Sequence, residues 1–269
     1  MVLAQDAPGS RQNQAMVCLG GEGVTSDHLQ QNVITDPLSR KVIAAAMRGE
    51  QPSPASFDDI LTRESNVNTV LCAWAGVKFP GTEVIEAALR QAEKAWGGLT
   101  IHDRFFPKME MAEIWEAIYG FNRFSQEERG NPGFKLYLKM NEEWWRTDKG
   151  VEQLPTEMGV IRLDFRDAMQ PTNMAGAPYG LDQAAQEVWA QPDSLTSAEE
   201  TSLLQLRSGY EFGRPLWGYG WARCRNACGS DDSLGVGWDA SGGLRVDGID
   251  RGAGFSIGAL RRKYLVLGS

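Results

Sequence analysis

The 269-residue sequence lacks several short motifs that identify common enzyme classes. It contains no P-loop and no G-x-G-x-x-G dinucleotide fingerprint. Only two histidines are present, His28 and His102, and neither has a metal-ligand spacing such as HExxH. Each lies beside an aspartate, and we interpret both as solvated or structural. These absences exclude the simplest nucleotide-binding, dinucleotide-binding and zinc-enzyme interpretations, while other enzyme classes stay open.

Long apolar runs are also missing. No segment approaches the roughly 20 apolar residues that span a bilayer, so no membrane insertion is expected. The first residues show no basic stretch followed by an apolar run, so no signal peptide is expected either. The formal net charge of −8 disfavours nucleic acid as a partner. Hydrophobic residues make up 42%, which is enough to bury a core and excludes disorder along the whole chain.

Charge and glycine are distributed unevenly along the chain. The 56 residues from Arg214 onward hold 8 Lys and Arg against 5 Asp and Glu, and they carry 12 of the 30 glycines. The first 213 residues hold 19 basic residues against 30 acidic ones. Dense glycine with interspersed apolar residues is typical of short strands joined by tight turns. The tail is therefore predicted to form a separate structural unit, or a separate layer of one domain.

Periodicity predicts several helices ahead of the tail. Apolar stripes with capping residues indicate helices over residues 36–49, 82–96, 109–119, 181–189 and 194–206. Thr82 is expected to cap the second of these, and Thr196 or Ser197 the last. Residues 70–75 could be strand or helix, whereas residues 160–165 alternate as a strand does.

The tail changes to a two-residue period. Apolar residues alternate with Gly, Asp, Arg and Ser over residues 234–238, 244–246 and 255–259, and residues 264–267 close the chain. This pattern predicts a small antiparallel meander with one apolar face and one polar face. Alternating Trp217, Tyr219 and Trp221, followed by Arg223, are either binding anchors or core-filling aromatic residues of a compact β unit.

The four cysteines give no strong metal signal. Cys18 and Cys72 are isolated, whereas Cys224 and Cys228 are close together in sequence. Without a second pair or nearby histidines, that spacing favours a local disulfide or two small buried residues over zinc. The following Gly-Ser-Asp-Asp-Ser loop contains two carboxylates that could help to hold Ca²⁺. A solvated turn is the favoured interpretation, so no cofactor is predicted.

The tail resembles a known kind of domain. The segments Trp217-Gly-Tyr-Gly-Trp-Ala-Arg-Cys-Arg, Gly237-Trp-Asp-Ala-Ser-Gly-Gly-Leu-Arg-Val and Ser256-Ile-Gly-Ala-Leu-Arg-Arg are similar to the C-terminal part of C-type-lectin-like domains of the formylglycine-generating-enzyme type. Residues 257–262, followed by 265–267, resemble the closing strands of phage tropism determinants that retroelements diversify. The Arg-Gly-Gly-Ser-Trp motif of the wider family is absent, and its catalytic cysteine arrangement is not evident.

The resemblance implies an α+β protein with a C-terminal C-type-lectin-like fold, in which short antiparallel strands pack on helices. Residues 1–33, which are polar and weakly periodic, are expected to form an extended N-terminal arm, residues 34–155 a mostly helical region, and residues 156–269 the lectin-like domain. The resemblance also implies a display face of exchangeable residues. The ligand-binding residues predicted for that face are Tyr219, Arg223, Asn226, Asp231, Asp232, Trp238, Asp239, Arg245, Asp247, Asp250 and Arg251.

The function expected from this face is binding without catalysis. A phage or bacterial-surface protein, located on a virion or cell surface and recognising a cell-surface protein or glycan, is the most concrete version. It would form a homo-oligomer or act alone. The alternatives are a formylglycine-generating type of enzyme using Cys224 or Cys228, and a virion structural or assembly protein with residues 1–33 as an interchain arm.

Overall fold

A computed structural model describes residues 54–127, 151–164, 195–212, 216, 220–229, 232–239, 243–249, 257–259 and 261–266. Four helices and two strands come first along these residues, and the five strands of the tail follow. In chain order the elements are α1 (Phe57–Ala75), α2 (Thr82–Trp96), β1 (Asp103–Phe106), α3 (Met111–Glu127), β2 (Gly159–Asp164), α4 (Ala198–Phe212), β3 (Gly220–Cys228), β4 (Asp232–Asp239), β5 (Gly243–Ile249), β6 (Ile257–Ala259) and β7 (Arg261–Val266). The α+β class is confirmed.

The described strands form two small sheets. One has the order β1-β2-β7 and is antiparallel throughout. The other has the order β5-β4-β3-β6, in which β3, β4 and β5 are antiparallel neighbours and β6 pairs in parallel with β3. The predicted antiparallel meander is therefore correct for β4 and β5 and wrong for the last two strands. Alternation reveals which side of a strand is apolar, but it does not identify the partner strand, and β7 pairs with β2 far away in sequence.

Most described helices lie close to their predicted positions. The helix over 82–96 is confirmed at both ends, residues 70–75 form the end of α1, and the predicted strand over 160–165 lies at Gly159–Asp164. The helix predicted from residue 109 begins two residues later and continues to Glu127. The predicted helices over 36–49 and 181–189, and the arm over 1–33, lie outside the described residues.

Helix ends follow local chemistry, with one correction. α1 ends at Gly76 and α2 at Gly97, both with positive φ, a conformation that glycine adopts without steric cost. At the start of α2, Thr82 is the first helical residue, and the preceding Gly81 makes no side-chain cap. The prediction that Thr82 caps this helix is therefore wrong.

The start of α4 is a reciprocal capping box. The Ser197 hydroxyl accepts a hydrogen bond from the Glu200 N–H at 3.0 Å, and the Glu200 carboxylate accepts one from the Ser197 N–H at 2.9 Å. Ser197 is thus confirmed as the cap. All residues from Ala198 to Gly209 are buried, so α4 is enclosed by the remainder of the protein. The amphipathic pattern that predicted the helix gave no sign of this enclosure.

One hydrophobic core joins helices and tail. It includes residues of α1, α3 and α4 together with the core-facing side of β3 to β5: Ala222, Cys224, Leu234, Val236, Leu244 and Val246. A smaller cluster packs α2 against the first sheet through Leu89, Phe105 and Val160. The predicted boundary between residues 155 and 156 therefore crosses a continuous core. Within the described residues, no helix is both long and apolar enough to cross a membrane.

Candidate functional site

The candidate site is the side of β3, β4 and β5 that faces away from the core. Cross-strand partners in an antiparallel sheet lie on the same side. The register aligns Trp221, Gly237 and Arg245 in one row and Arg223, Gly235 and Asp247 in the next. We call these six residues the outer face, because the residues between them in sequence belong to the core.

An ion pair and an aromatic ring form the accessible part of the outer face. Arg245 Nη2 donates a hydrogen bond to Asp247 Oδ2 at 2.7 Å, and the side chains of this pair are 37% and 28% exposed. The guanidinium carbon of Arg245 lies 5.5 Å from the centre of the Trp221 ring, within the range of a cation–π contact. Asp247 also accepts a hydrogen bond from the Gly248 N–H at 2.9 Å. The predicted residues Arg245 and Asp247 are thus brought together beside a tryptophan.

Gly235, on the middle strand β4, leaves space that the Ile249 and Trp221 side chains occupy. A Cβ atom placed on Gly235 would overlap the Ile249 side chain and would lie 3.3 Å from Trp221 Cε3. Ile249 is itself buried. Position 235 therefore requires glycine because its neighbours on both sides occupy the space above it.

Two predicted ligand-binding residues are buried. The Arg223 side chain is 1% exposed, and its Nη1 donates to the Ser233 hydroxyl at 2.9 Å. Asn226 is fully buried: its Oδ1 accepts the Ala198 N–H at 2.7 Å, and its Nδ2 donates to Glu199 at 2.8 Å. An irregularity in the β3–β4 register between Arg223 and Ala227 interrupts the alternation before Asn226. Asn226 therefore joins β3 to the start of α4 and presents no surface to a ligand.

The remaining predicted residues are only partly covered by the structure. The backbones of Asp232, Trp238 and Asp239 lie on β4, where Trp238 pairs with the buried Leu244 and Asp239 pairs with Gly243. The predicted residues outside the described part of the chain are Tyr219, Asp231, Asp250 and Arg251. Ligand binding by all of these residues, and Ca²⁺ binding by the loop that contains Asp231 and Asp232, stay predictions.

A buried charged cluster around Glu64 was not predicted from the sequence. Glu64 on α1 is fully buried and accepts hydrogen bonds from both Nη atoms of Arg207 at 2.7 Å, from Arg63 Nε at 2.8 Å and from the Phe105 N–H at 2.8 Å. Burial alone would raise the pKa of Glu64, but the positive charges of Arg207 and Arg63 and the hydrogen bonds lower it to about 2. The sequence hint for this cluster is that Glu64 lies on the same side of the helix as the core residues Ile60 and Leu71.

A second buried ion pair links the C-terminal strand to α4. Arg262 Nη1 lies 2.8 Å from Glu200 Oε1, and both side chains are 3% exposed. The neighbouring Glu199 accepts the Leu154 N–H at 2.8 Å, and burial raises its pKa although hydrogen bonds from Asn226 and Leu154 oppose the shift. These contacts hold β7, β3 and residues near 154 around the start of α4.

Burial determines the protonation of one described cysteine, Cys224, and of the described histidine, His102. Cys224 and Cys228 do not form a disulfide with each other, since they lie about 13 Å apart along an extended strand, which is beyond disulfide reach. Burial raises the pKa of Cys224 to about 12, so the enzymatic alternative would depend on Cys228. Burial and the charge of Arg104 lower the pKa of His102 to about 3, so its imidazole is neutral at pH 7.

No metal centre is found in the part of the chain that the structure describes, where no three His, Cys, Asp or Glu side chains cluster suitably. Comparisons with protein-family models, with curated proteins and with solved structures give no match to this chain.

Proposed function

We propose that this protein binds a cell-surface protein or glycan through the outer face of β3, β4 and β5. The observation that carries the proposal is the Arg245–Asp247 ion pair, which lies beside Trp221 on the side of the sheet away from the core. Arginine and tryptophan are the residues that most often dominate the binding energy of an interface. A mixed-charge pair next to an aromatic ring suits a partner that offers both hydrogen-bonding groups and apolar surface.

The exposure of the ion pair supports this role. Exposed arginine–carboxylate pairs contribute about 0–1 kcal/mol to folding, so the fold depends little on this contact. Arg245 and Asp247 can therefore exchange their mutual hydrogen bond for bonds to a partner at small cost. In contrast, Arg223 is buried and bonded to Ser233, and we assign it to the support of the face.

We further propose that the tail is a C-type-lectin-like unit of the formylglycine-generating-enzyme type, used by a phage or bacterial surface protein. The support is the Ser-Ile-Gly-Ala-Leu-Arg-Arg segment from residue 256 and the succession of short strands packed on helices. Diversification of the outer face by a retroelement belongs to the same proposal. A near-copy of the tail's coding segment beside a reverse transcriptase gene would support it, and a genome without one would contradict it.

The binding proposal is tested with full-length protein on a glycan array and on a panel of intact bacterial cells. We compare the wild type with the double variant Arg245→Ala/Asp247→Ala. The matched control is Glu86→Ala/Arg90→Ala, which removes another exposed pair on α2 with the same 2.7 Å contact. We expect the outer-face variant to lose about tenfold or more in affinity, equivalent to about 1.4 kcal/mol, and the control to bind as the wild type does.

Both variants should fold, since each pair contributes about 1 kcal/mol or less to stability. Equal binding by the outer-face variant and the wild type would remove the outer face from the proposal. A wild-type protein that binds no glycan and no cell on the panel would contradict the choice of partner.

A further inference from the structure

Arg104, on β1, is a buried arginine with an unusual set of partners. Its side chain is 6% exposed, and its hydrogen bonds run from Nη1 to the carbonyl oxygens of Ile101 at 2.6 Å and Asp103 at 3.0 Å. Within the described residues no carboxylate pairs with Arg104, and the Nε–Nη2 edge of its guanidinium donates no hydrogen bond. That edge carries the parallel N–H groups that suit bidentate contact with an oxyanion.

The nearby carboxylates are already engaged by other arginines. Glu64 bonds to Arg63 and Arg207, and Glu211 lies 3.7 Å from Arg207 Nε. On the neighbouring residue of β1, Asp103 receives both Nε and Nη2 of Arg162, at 2.7 and 2.8 Å. Around Glu64, three guanidinium groups therefore share two carboxylates.

This arrangement leaves Arg104 without a carboxylate in direct ion-pair contact among the described residues. Burial lowers the pKa of Arg104 to about 9, helped by the positive charges of Arg63 and Arg207 and opposed by the more distant charges of Glu211 and Glu64, so the group is still charged at pH 7. An isolated buried charge costs several kcal/mol unless an opposite charge or enough hydrogen bonds compensate it. An anion at the free edge of the guanidinium would supply both.

We propose that the Nε–Nη2 edge of Arg104 binds a small oxyanion of phosphate type, with Arg63 and Arg207 supplying further positive potential. The small exposed fraction of Arg104 suits a phosphate group better than an extended chain. The site lies in the β1-β2-β7 sheet, whereas the outer face belongs to the other sheet. It is therefore independent of the binding function proposed above.

The test is calorimetric titration of the full-length protein at pH 7.5 with sodium phosphate, sodium sulfate and sodium acetate, in sodium chloride of matched ionic strength. We expect saturable binding of phosphate. Sulfate binding with equal affinity would show that any tetrahedral oxyanion is accepted, and acetate binding alone would replace phosphate by a carboxylate and overturn the stated class. The Arg104→Gln variant should lose about tenfold or more in affinity, the effect expected from a lost charge-assisted hydrogen-bond pair.

The control is Arg90→Gln, which removes an exposed arginine of α2 and should leave phosphate binding unchanged. Arg104→Lys keeps the charge without the planar fork and should bind phosphate more weakly than the wild type, which tests the proposal if Arg104→Gln does not fold. No saturable binding of any oxyanion by the wild type overturns the proposal, whatever the variants do. Equal phosphate affinity in the wild type and a folded Arg104→Gln variant also overturns it.

Discussion

Two arginine–carboxylate pairs in this protein have the same contact distance and opposite surroundings. Glu64 and Arg207 lie 2.7 Å apart between α1 and α4, with side chains 0% and 2% exposed. Arg245 and Asp247 also lie 2.7 Å apart, on β5, with side chains 37% and 28% exposed. Distance alone would make the two pairs equivalent. Burial separates them, because the energy of a charge depends on how much water surrounds it.

The buried pair stabilises the packing of distant elements against one another. Glu64 accepts four hydrogen bonds, and these connect α1, α4 and β1, three elements that are far apart in sequence. Removing one partner of such a pair leaves the other charge buried and alone. The exposed pair has the opposite property, since either partner can turn to water when the other is lost. We therefore assign the first pair to folding and propose the second for binding.

Glu64→Leu should produce the largest effect on stability. It leaves Arg207 and Arg63 without their shared carboxylate, and we expect the free energy of unfolding to fall by about 3–5 kcal/mol. Chemical denaturation of the full-length protein measures the loss. The control Glu86→Leu, which breaks an exposed pair on α2, should cost about 1 kcal/mol or less. Similar losses in the two variants would abolish the distinction between buried and exposed pairs.

Low pH should weaken the buried pair because it protonates the Glu64 carboxylate. Its pKa is about 2 in the folded protein against 4.5 for an unperturbed glutamate, so the folded state favours the charged form. The stabilisation is complete above pH 4.5 and is lost as the pH falls from 4.5 towards 2, by about 3 kcal/mol in total. Denaturation at a series of pH values measures this slope. In Glu64→Gln, which has no group to titrate, the slope over this window should be smaller, and an unchanged slope would contradict the assignment.

Gly235→Val should have a smaller effect, confined to the sheet that carries the exposed pair. The new side chain would overlap Ile249 and press on Trp221, and overpacking of this kind typically costs about 1–3 kcal/mol. Ile249→Ala in the same chain should recover part of the loss because it vacates the space above position 235. Thermal unfolding of the single and double variants measures the coupling. Additive losses would show that Ile249 does not restrict position 235.

Local patterns predicted the helices and strands better than their partners. The stripe of apolar residues over 82–96 and the glycines after it were enough to locate α2. The same reasoning left residues 70–75 undecided, because a short apolar run suits a buried strand and a buried helix equally well. Their place at the end of α1 depends on the longer helix that precedes them.

The candidate site was predicted in part. The two-residue period placed Arg245 and Asp247 on the same side of one strand, and the structure agrees. The prediction that Asn226 binds a ligand is wrong because the register irregularity after Arg223 changes the side of the strand on which the following residues lie. No residue type in this segment predicted the irregularity. Arg223 follows the period but is buried, since alternation separates two sides without stating how much water reaches each.

The sequence by itself determined the α+β class, the positions of α2 and β2, the capping of α4 and the alternation of the tail, because these depend on residues a few positions apart. Tertiary structure decided which strands pair, that the polar helix α4 is enclosed, and that Glu64 meets Arg207 across 143 positions of the chain. It also decided the different surroundings of two arginine–carboxylate pairs that share one contact distance. Burial is a property of the whole fold, and no local pattern contains it.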